Sequence, residues 1–166
     1  MFQVAEKLRE IADTSKVPDD FDSFGRSSFN RYYYATYLTV RDMLSTLNPV
    51  WAKTSHASIP NLLLDSVRAR IKKEAIRQQK NGLIGAHVAS SHITEASSSL
   101  SVIAEILTTA YGVRVVADYE PSQRVAAGKS GFSLNTHTAS EAREWKTRAE
   151  AAKGNVLRIA RELAIV

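Results

Sequence analysis

The fold of this chain is decided by Phe29-Asn30-Arg31-Tyr32-Tyr33-Tyr34-Ala35-Thr36-Tyr37-Leu38-Thr39-Val40-Arg41-Asp42-Met43-Leu44. Phe29, Tyr33, Thr36, Tyr37, Val40, Leu44 and Leu47 recur three or four positions apart, the interval at which one face of an α-helix repeats, whereas a strand would alternate at every second residue. The pattern predicts a helix from about Phe24 to Leu47. Ser23 is a suitable N-cap, and Asn48-Pro49 ends the helix because the residue before a proline is pushed out of the helical region. An apolar face this broad must be covered by other helices.

A first helix is expected over about Phe2 to Ala12, with Val4, Leu8 and Ile11 on one face. The stretch Thr14 to Ser23, with Pro18, Asp19 and Asp20, reads as a loop. A third helix follows Ser58-Ile59-Pro60, where proline suits a first turn, and carries Leu64, Val67, Ile71 and Ala75 as its apolar stripe up to Lys80. A fourth is expected from about Thr94 to Gly112 through Leu100, Ile103, Ile106, Leu107 and Ala110. The last, about Ser140 to Leu163, sets Ala142, Trp145, Ala149, Ala152, Val156, Ile159 and Leu163 in near-heptad order. Between them Glu120 to Thr138, with Pro121, Gly128 and Gly131, reads as a long flexible surface loop at 120–138. No segment alternates strictly enough for a convincing strand. The expectation is an all-α, antiparallel bundle of about five helices, built as a single domain over residues 1–166.

The chain has 166 residues, enough to bury one core without staples. Hydrophobic residues at 44% and charged residues at 23% argue against a disordered or fibrous chain. No cysteine is present, which removes a disulfide framework, a thiolate nucleophile and any cysteine-based zinc site, and fits a reducing cytoplasm. Glu6, Lys7, Arg9 and Glu10 interrupt the apolar pattern at the start, so a signal peptide is not expected there. Glu105 and Arg114 likewise interrupt Leu100 to Ala117, and no membrane span is expected. The formal net charge of +5 favours polyanionic partners.

The densest cationic run is Arg68, Arg70, Lys72, Lys73, Arg77 and Lys80, opposed by Glu74 alone. Arg70, Lys73, Arg77 and Lys80 share one side of the third helix, opposite its apolar stripe. That side is either a solvated face or a surface for RNA or another polyanion, with salt-dependent binding as its signature. On the second helix Arg26, Asn30, Tyr33, Tyr37 and Arg41 form a polar and aromatic line, with Arg31 beside it. Arg31 and Arg41 are candidate nucleic-acid contacts, while Tyr33 and Tyr37 also belong to the apolar face and read as core. His87 and His92 are spaced wrongly for two ligands on one helical face, so neither a metal site nor a cofactor is expected. No phosphate-cradling glycine loop, catalytic serine motif or paired-carboxylate site is present.

Three elements together carry a resemblance. Asn30-Arg31-Tyr32-Tyr33-Tyr34-Ala35-Thr36-Tyr37 with Val40-Arg41-Asp42-Met43-Leu44 comes first. Ser55-His56-Ala57-Ser58-Ile59 follows, and Arg114-Val115-Val116-Ala117-Asp118-Tyr119 precedes the last helix. In this order and spacing they resemble the HEPN superfamily, the nucleotide-binding helical domains of higher eukaryotes and prokaryotes. The resemblance implies a helical bundle, a homodimer with its site between protomers, and an RNA-directed role in a prokaryotic toxin–antitoxin or antiphage system. It places the site on Arg114, Asp118 and Tyr119.

The sequence departs from the family where chemistry would sit. Nucleolytic members separate an arginine from a histidine by four to six residues, and no arginine precedes His56, His87, His92 or His137 at that interval. Tyr119 stands where the histidine would be expected, and a phenol titrating near 10 is a poor base beside an imidazole titrating near neutrality. Arg114 is open to two readings, a bidentate phosphate contact or an ion pair with Asp118 one helical turn on. A metal-independent ribonuclease with a degenerate site is one expectation. The other is a non-catalytic binding or scaffolding module that partners a nucleotidyltransferase, an antitoxin or a larger effector.

Overall fold

The computed structural model describes residues 1–128 and 131–166, and the chain is all-α, 79% helical with one small sheet. Its helices are α1 (Phe2–Thr14), α2 (Pro18–Leu47), α3 (Ile59–Leu62), α4 (Arg68–Lys80), α5 (Ala86–Tyr119) and α6 (Ala139–Glu162). A π-helical turn, Leu63–Val67, joins α3 to α4 without a break. The chain divides into two compact units, Met1–Leu38 with Thr108–Thr147 and Thr39–Leu107 with Arg148–Val166.

In the first unit α2 begins five residues before Ser23, at Pro18, with Asp19 and Asp20 in its first turn. The Pro-Asp-Asp run that reads as a loop is a helix start. Proline loses nothing at a position whose N–H has no helical partner, and carboxylates are favoured at the positive end of the helix dipole. Along this unit α2 and α5 run antiparallel: Arg26 meets Ala117, and the Tyr33 ring lies 5.9 Å from that of Tyr111. Phe29, Tyr32 and Tyr33 are buried. The Tyr32 phenol donates to Glu6, whose other carboxylate oxygen lies 3.1 Å from Nε of Arg143, so one acid from α1 fastens side chains of α2 and α6.

The expected surface loop contains three short antiparallel strands, β1 (Ala126–Gly128), β2 (Gly131–Leu134) and β3 (His137–Thr138), in the order β1-β2-β3. Residues 129 and 130, also within that expected loop, lie outside the described residues. Only Phe132 and Leu134 alternate inward on β2, too few positions to register as a strand by period. Phe132 sits edge-on to Phe21 and Phe29 at 5.8 Å each. Gly25 provides the notch: a Cβ there would lie 3.1 Å from both Val125 methyl groups.

In the second unit Leu63, not the expected Leu64, is buried with Val67, Ile71 and Ala75. Four-residue spacing drifts off a regular helical face, and the wider π turn between Leu63 and Val67 takes up the drift. The Gln78 amide donates to the Leu163 carbonyl at 2.6 Å, which ties α4 to the end of α6. α5 runs antiparallel to α6 here, with Glu95 against Arg158 and His92 against Glu162.

α5 extends beyond both expected ends, because Ala89, Ala96 and Ser99 are small enough to continue the buried face through the serine-rich start and Gly112 does not interrupt it. Among the described residues it is the one helix long and apolar enough to cross a membrane, and half of its most apolar stretch is buried inside the protein. α6 buries every apolar residue its sequence pattern picks out, from Ala142 to Leu163.

Candidate functional site

Ser23, Ser27, Asn30 and Arg31 fall on one face of α2, spaced by four, three and one residues. In the first unit this face, with Asp22 and Arg26, meets Ala117 and Asp118 of α5 around a groove of about 390 Å3. The groove is mostly polar, with two carboxylates, two guanidiniums, two hydroxyls and an amide beside the one apolar side chain of Ala117.

Arg26 holds the α5 end of the groove in place. Its Nε donates to the Ala117 carbonyl at 3.0 Å and one terminal nitrogen to Val116 at 3.0 Å. The other reaches Glu120 at 3.2 Å and Gln123 at 2.6 Å. α5 has no basic residue of its own in its last turn; Val116 and Glu120 each already accept one backbone N–H, from Glu120 and Gln123, so the guanidinium from α2 gives them a second donor, adds donors to Ala117 and Gln123, and supplies the favourable charge. Arg26 was expected on the candidate binding line of α2. The structure commits it to capping.

Asp118 is shared. One carboxylate oxygen accepts from the Asn30 amide at 2.7 Å, and the other lies 2.8 Å from Nε of Arg114. That second contact is an ion pair without the alignment of a hydrogen bond, and Nε is buried. The Arg114 guanidinium also stands over the Tyr119 ring, 5.2 Å from its centroid, a cation–π arrangement. Burial is the largest single influence on Arg114 and works to lower its titration; the charge of Asp118, then Tyr119 and Tyr34, outweigh it and the net direction is upward. Tyr119 itself is 67% exposed. The structure thus brings Arg114, Asp118 and Tyr119 together, and Arg114 is both ion-paired and next to the groove.

Arg31 differs from its neighbours. It lines the groove half-buried, and among the described residues it makes no hydrogen bond, ion pair or ring contact. Arg41 is exposed and equally unpaired. Tyr33 and Tyr37 are buried, and burial, reinforced by Tyr34 and Tyr37, pushes the Tyr33 phenol well above its ordinary range, so it is no base at neutral pH.

On α4, in the second unit, the candidate stripe divides. Arg70 donates to the Leu47 carbonyl at 2.8 Å and lies over the Trp51 ring, and Arg77 is held by Glu74 through bonds at 2.9 and 3.0 Å. Lys73 and Lys80 are exposed and unpaired, as is Lys72. None of the four histidines lines the groove: His56 is in a short turn, His87 is in the first turn of α5, His92 faces Glu162, and His137 lies edge-on to Trp145.

No family model matches the chain, and neither curated proteins nor solved structures give a match. Sequence reasoning did not find the capping role of Arg26 or the Asn30–Asp118 bond, although the spacing of Ser23, Ser27, Asn30 and Arg31 was there to be seen. Their partners lie about ninety residues away, and nothing in α2 alone announces them.

Proposed function

We propose that this protein is an RNA-directed component of a prokaryotic toxin–antitoxin or antiphage defence system, working in the cytoplasm, and that it engages RNA through the groove between α2 and α5 of the first unit. The observation that carries the reading is Arg31, a guanidinium that has no partner among the described residues and stands on the wall of a polar groove. Guanidiniums are well suited to phosphate because their donors form a fixed fork. Arg114 beside Tyr119 adds a cation and an exposed ring on which a base can stack.

The chemistry favours binding over cleavage. Transfer of the 2′-hydroxyl proton needs a group that titrates near neutrality, and no histidine lines the groove. The HEPN resemblance supports an assembly of two copies, which light scattering would test by molar mass.

The test uses a fluorescently labelled single-stranded RNA with anisotropy for binding and gel electrophoresis for cleavage. Arg31→Ala and Arg114→Ala should each weaken binding by roughly ten-fold, the size of one lost charge-assisted contact, while helicity stays unchanged. The four histidine-to-alanine variants should bind as the parent does. Full affinity in both folded arginine variants refutes the reading.

A further inference from the structure

Asn30 stands between the two charged parts of the groove, and its geometry fixes what it can offer a ligand. A carboxylate paired with a guanidinium only accepts hydrogen bonds, so the Asn30 side chain must turn its NH2 group toward Asp118, as the 2.7 Å bond shows. Its carbonyl oxygen is then an acceptor, and among the described residues it has no partner. Arg31, the next residue, presents only donors. The groove therefore sets an oriented neutral acceptor beside an unpaired cation on one wall, with the hydroxyls of Ser27 and Ser23, unpartnered among the described residues, one and two turns back.

The charge balance narrows the ligand. Asp22 and Asp118 are interspersed with Arg26 and Arg31 along the lining, so the groove is not a continuous cationic trough for a run of phosphates. It suits one phosphate together with a group that donates a hydrogen bond close by. In a nucleic acid the sugar hydroxyl meets that description, and only a ribose carries one at the 2′ position; the 2′-hydroxyl is what distinguishes RNA from DNA at a given contact.

We infer that Asn30 is a specificity-determining residue: its carbonyl oxygen accepts from a ribose 2′-hydroxyl while Arg31 holds the adjoining phosphate, so the groove selects ribonucleotide over deoxyribonucleotide single strands. Asp118 acts here as a positioning residue that keeps the Asn30 amide in one orientation. The inference rests on the RNA-directed reading above.

The experiment measures the full-length protein against a labelled oligouridylate, the matched oligodeoxyuridylate and the 2′-O-methyl oligouridylate, in one buffer. The parent protein should prefer RNA over DNA by roughly ten-fold, since an acceptor left unpaired against the deoxy strand costs about that much, and the 2′-O-methyl strand, which cannot donate, should bind like DNA. Asn30→Ala should bring the RNA-to-DNA ratio close to one by weakening RNA alone, whereas Arg31→Ala should weaken both strands alike. The 2′-O-methyl comparison needs no substitution and tests the hydroxyl contact even if Asn30→Ala fails to fold: a 2′-O-methyl strand bound as tightly as RNA overturns the inference. Equal binding of RNA and DNA by the parent overturns the inference and leaves RNA binding standing. No binding of any strand overturns the RNA-directed reading and the inference with it.

Discussion

Replacing Arg26 with methionine keeps most of the aliphatic stem and deletes four hydrogen bonds from one guanidinium to the carbonyls of Val116, Ala117, Glu120 and Gln123. The bond to Glu120 is exposed, so water replaces it at little cost; the other three are partly buried. A hydrogen bond to a charged donor contributes about 1.5–3 kcal/mol when shielded. Discounting for partial exposure leaves about 1 kcal/mol for each of the three and a total near 3 kcal/mol. For a chain of this length each kcal/mol moves the melting temperature by about 2–4 °C, so Arg26→Met should melt roughly 6–12 °C below the parent. Thermal denaturation followed by circular dichroism measures this directly. Arg26→Lys should recover a minority of the loss, because one ammonium cannot reach four carbonyls spread around a helix end. A shift of less than about 2 °C for Arg26→Met would refute the capping argument, since it would mean that water satisfies those carbonyls equally well.

Thr138 and Glu141 form a reciprocal cap at the start of α6, with the Thr138 N–H bonded to the carboxylate at 2.7 Å and the Glu141 N–H to the hydroxyl at 3.1 Å; Thr138→Ala should cost about 1 kcal/mol in urea titrations. The Thr138 N–H is the first cause holding the Glu141 carboxyl below its usual range. A carboxyl depressed on folding adds stability present above the unfolded carboxylate range and lost as pH falls through the folded value, so the parent's advantage over Glu141→Gln should shrink below about pH 4; an advantage that persists in acid would contradict the cap. Ala164 closes α6 with φ of 51°, its N–H bonded to Arg161 and that of Ile165 to Ala160. Ala164→Gly should therefore raise stability by roughly 0.5–1 kcal/mol, and a loss would show that the left-handed turn is not where strain resides. If RNA also contacts α4, exchanging Lys73 and Lys80 for glutamine should flatten the plot of log affinity against log salt by about 1.4, two single-strand phosphate contacts, and leave the RNA-to-DNA ratio unchanged.

The helices were legible from regular apolar spacing, although α1 leaves Val4 exposed and buries Ala5 and Ala12 in place of the expected face of Val4, Leu8 and Ile11. α2 and α6 bury the residues their patterns name, because 3.6-residue periodicity is a local property that packing only has to accept. Errors arose where a local signal had two meanings. Pro18-Asp19-Asp20 serves a turn and a helix start equally well, and serines with a lone glycine weaken a helix without ending it, so α5 was expected too short. The Leu63-for-Leu64 exchange depends on a π turn that no spacing rule anticipates. Arg114, Asp118 and Tyr119 were legible as a group because they lie within one and a half helical turns, while the Asn30 and Arg26 contacts depend on α2 meeting α5 and were not.

Charge separates the α4 lysines from the α2–α5 groove in kind. The exposed lysines of α4 can move, remain hydrated and meet a phosphate wherever one passes, so their contribution is counterion release and falls steeply with salt. Arg31 shares its groove with Asp22 and Asp118, so in the proposed site binding would gain little from long-range attraction and would depend on fitting one phosphate and one hydroxyl. Such a contact is weak alone but keeps its value at high ionic strength, because short-range hydrogen bonds are screened far less than separated charges. Selectivity for ribose should therefore survive salt that abolishes the contribution of the lysines. That persistence is what a site reading sugar chemistry requires, and a site reading charge alone would not show it.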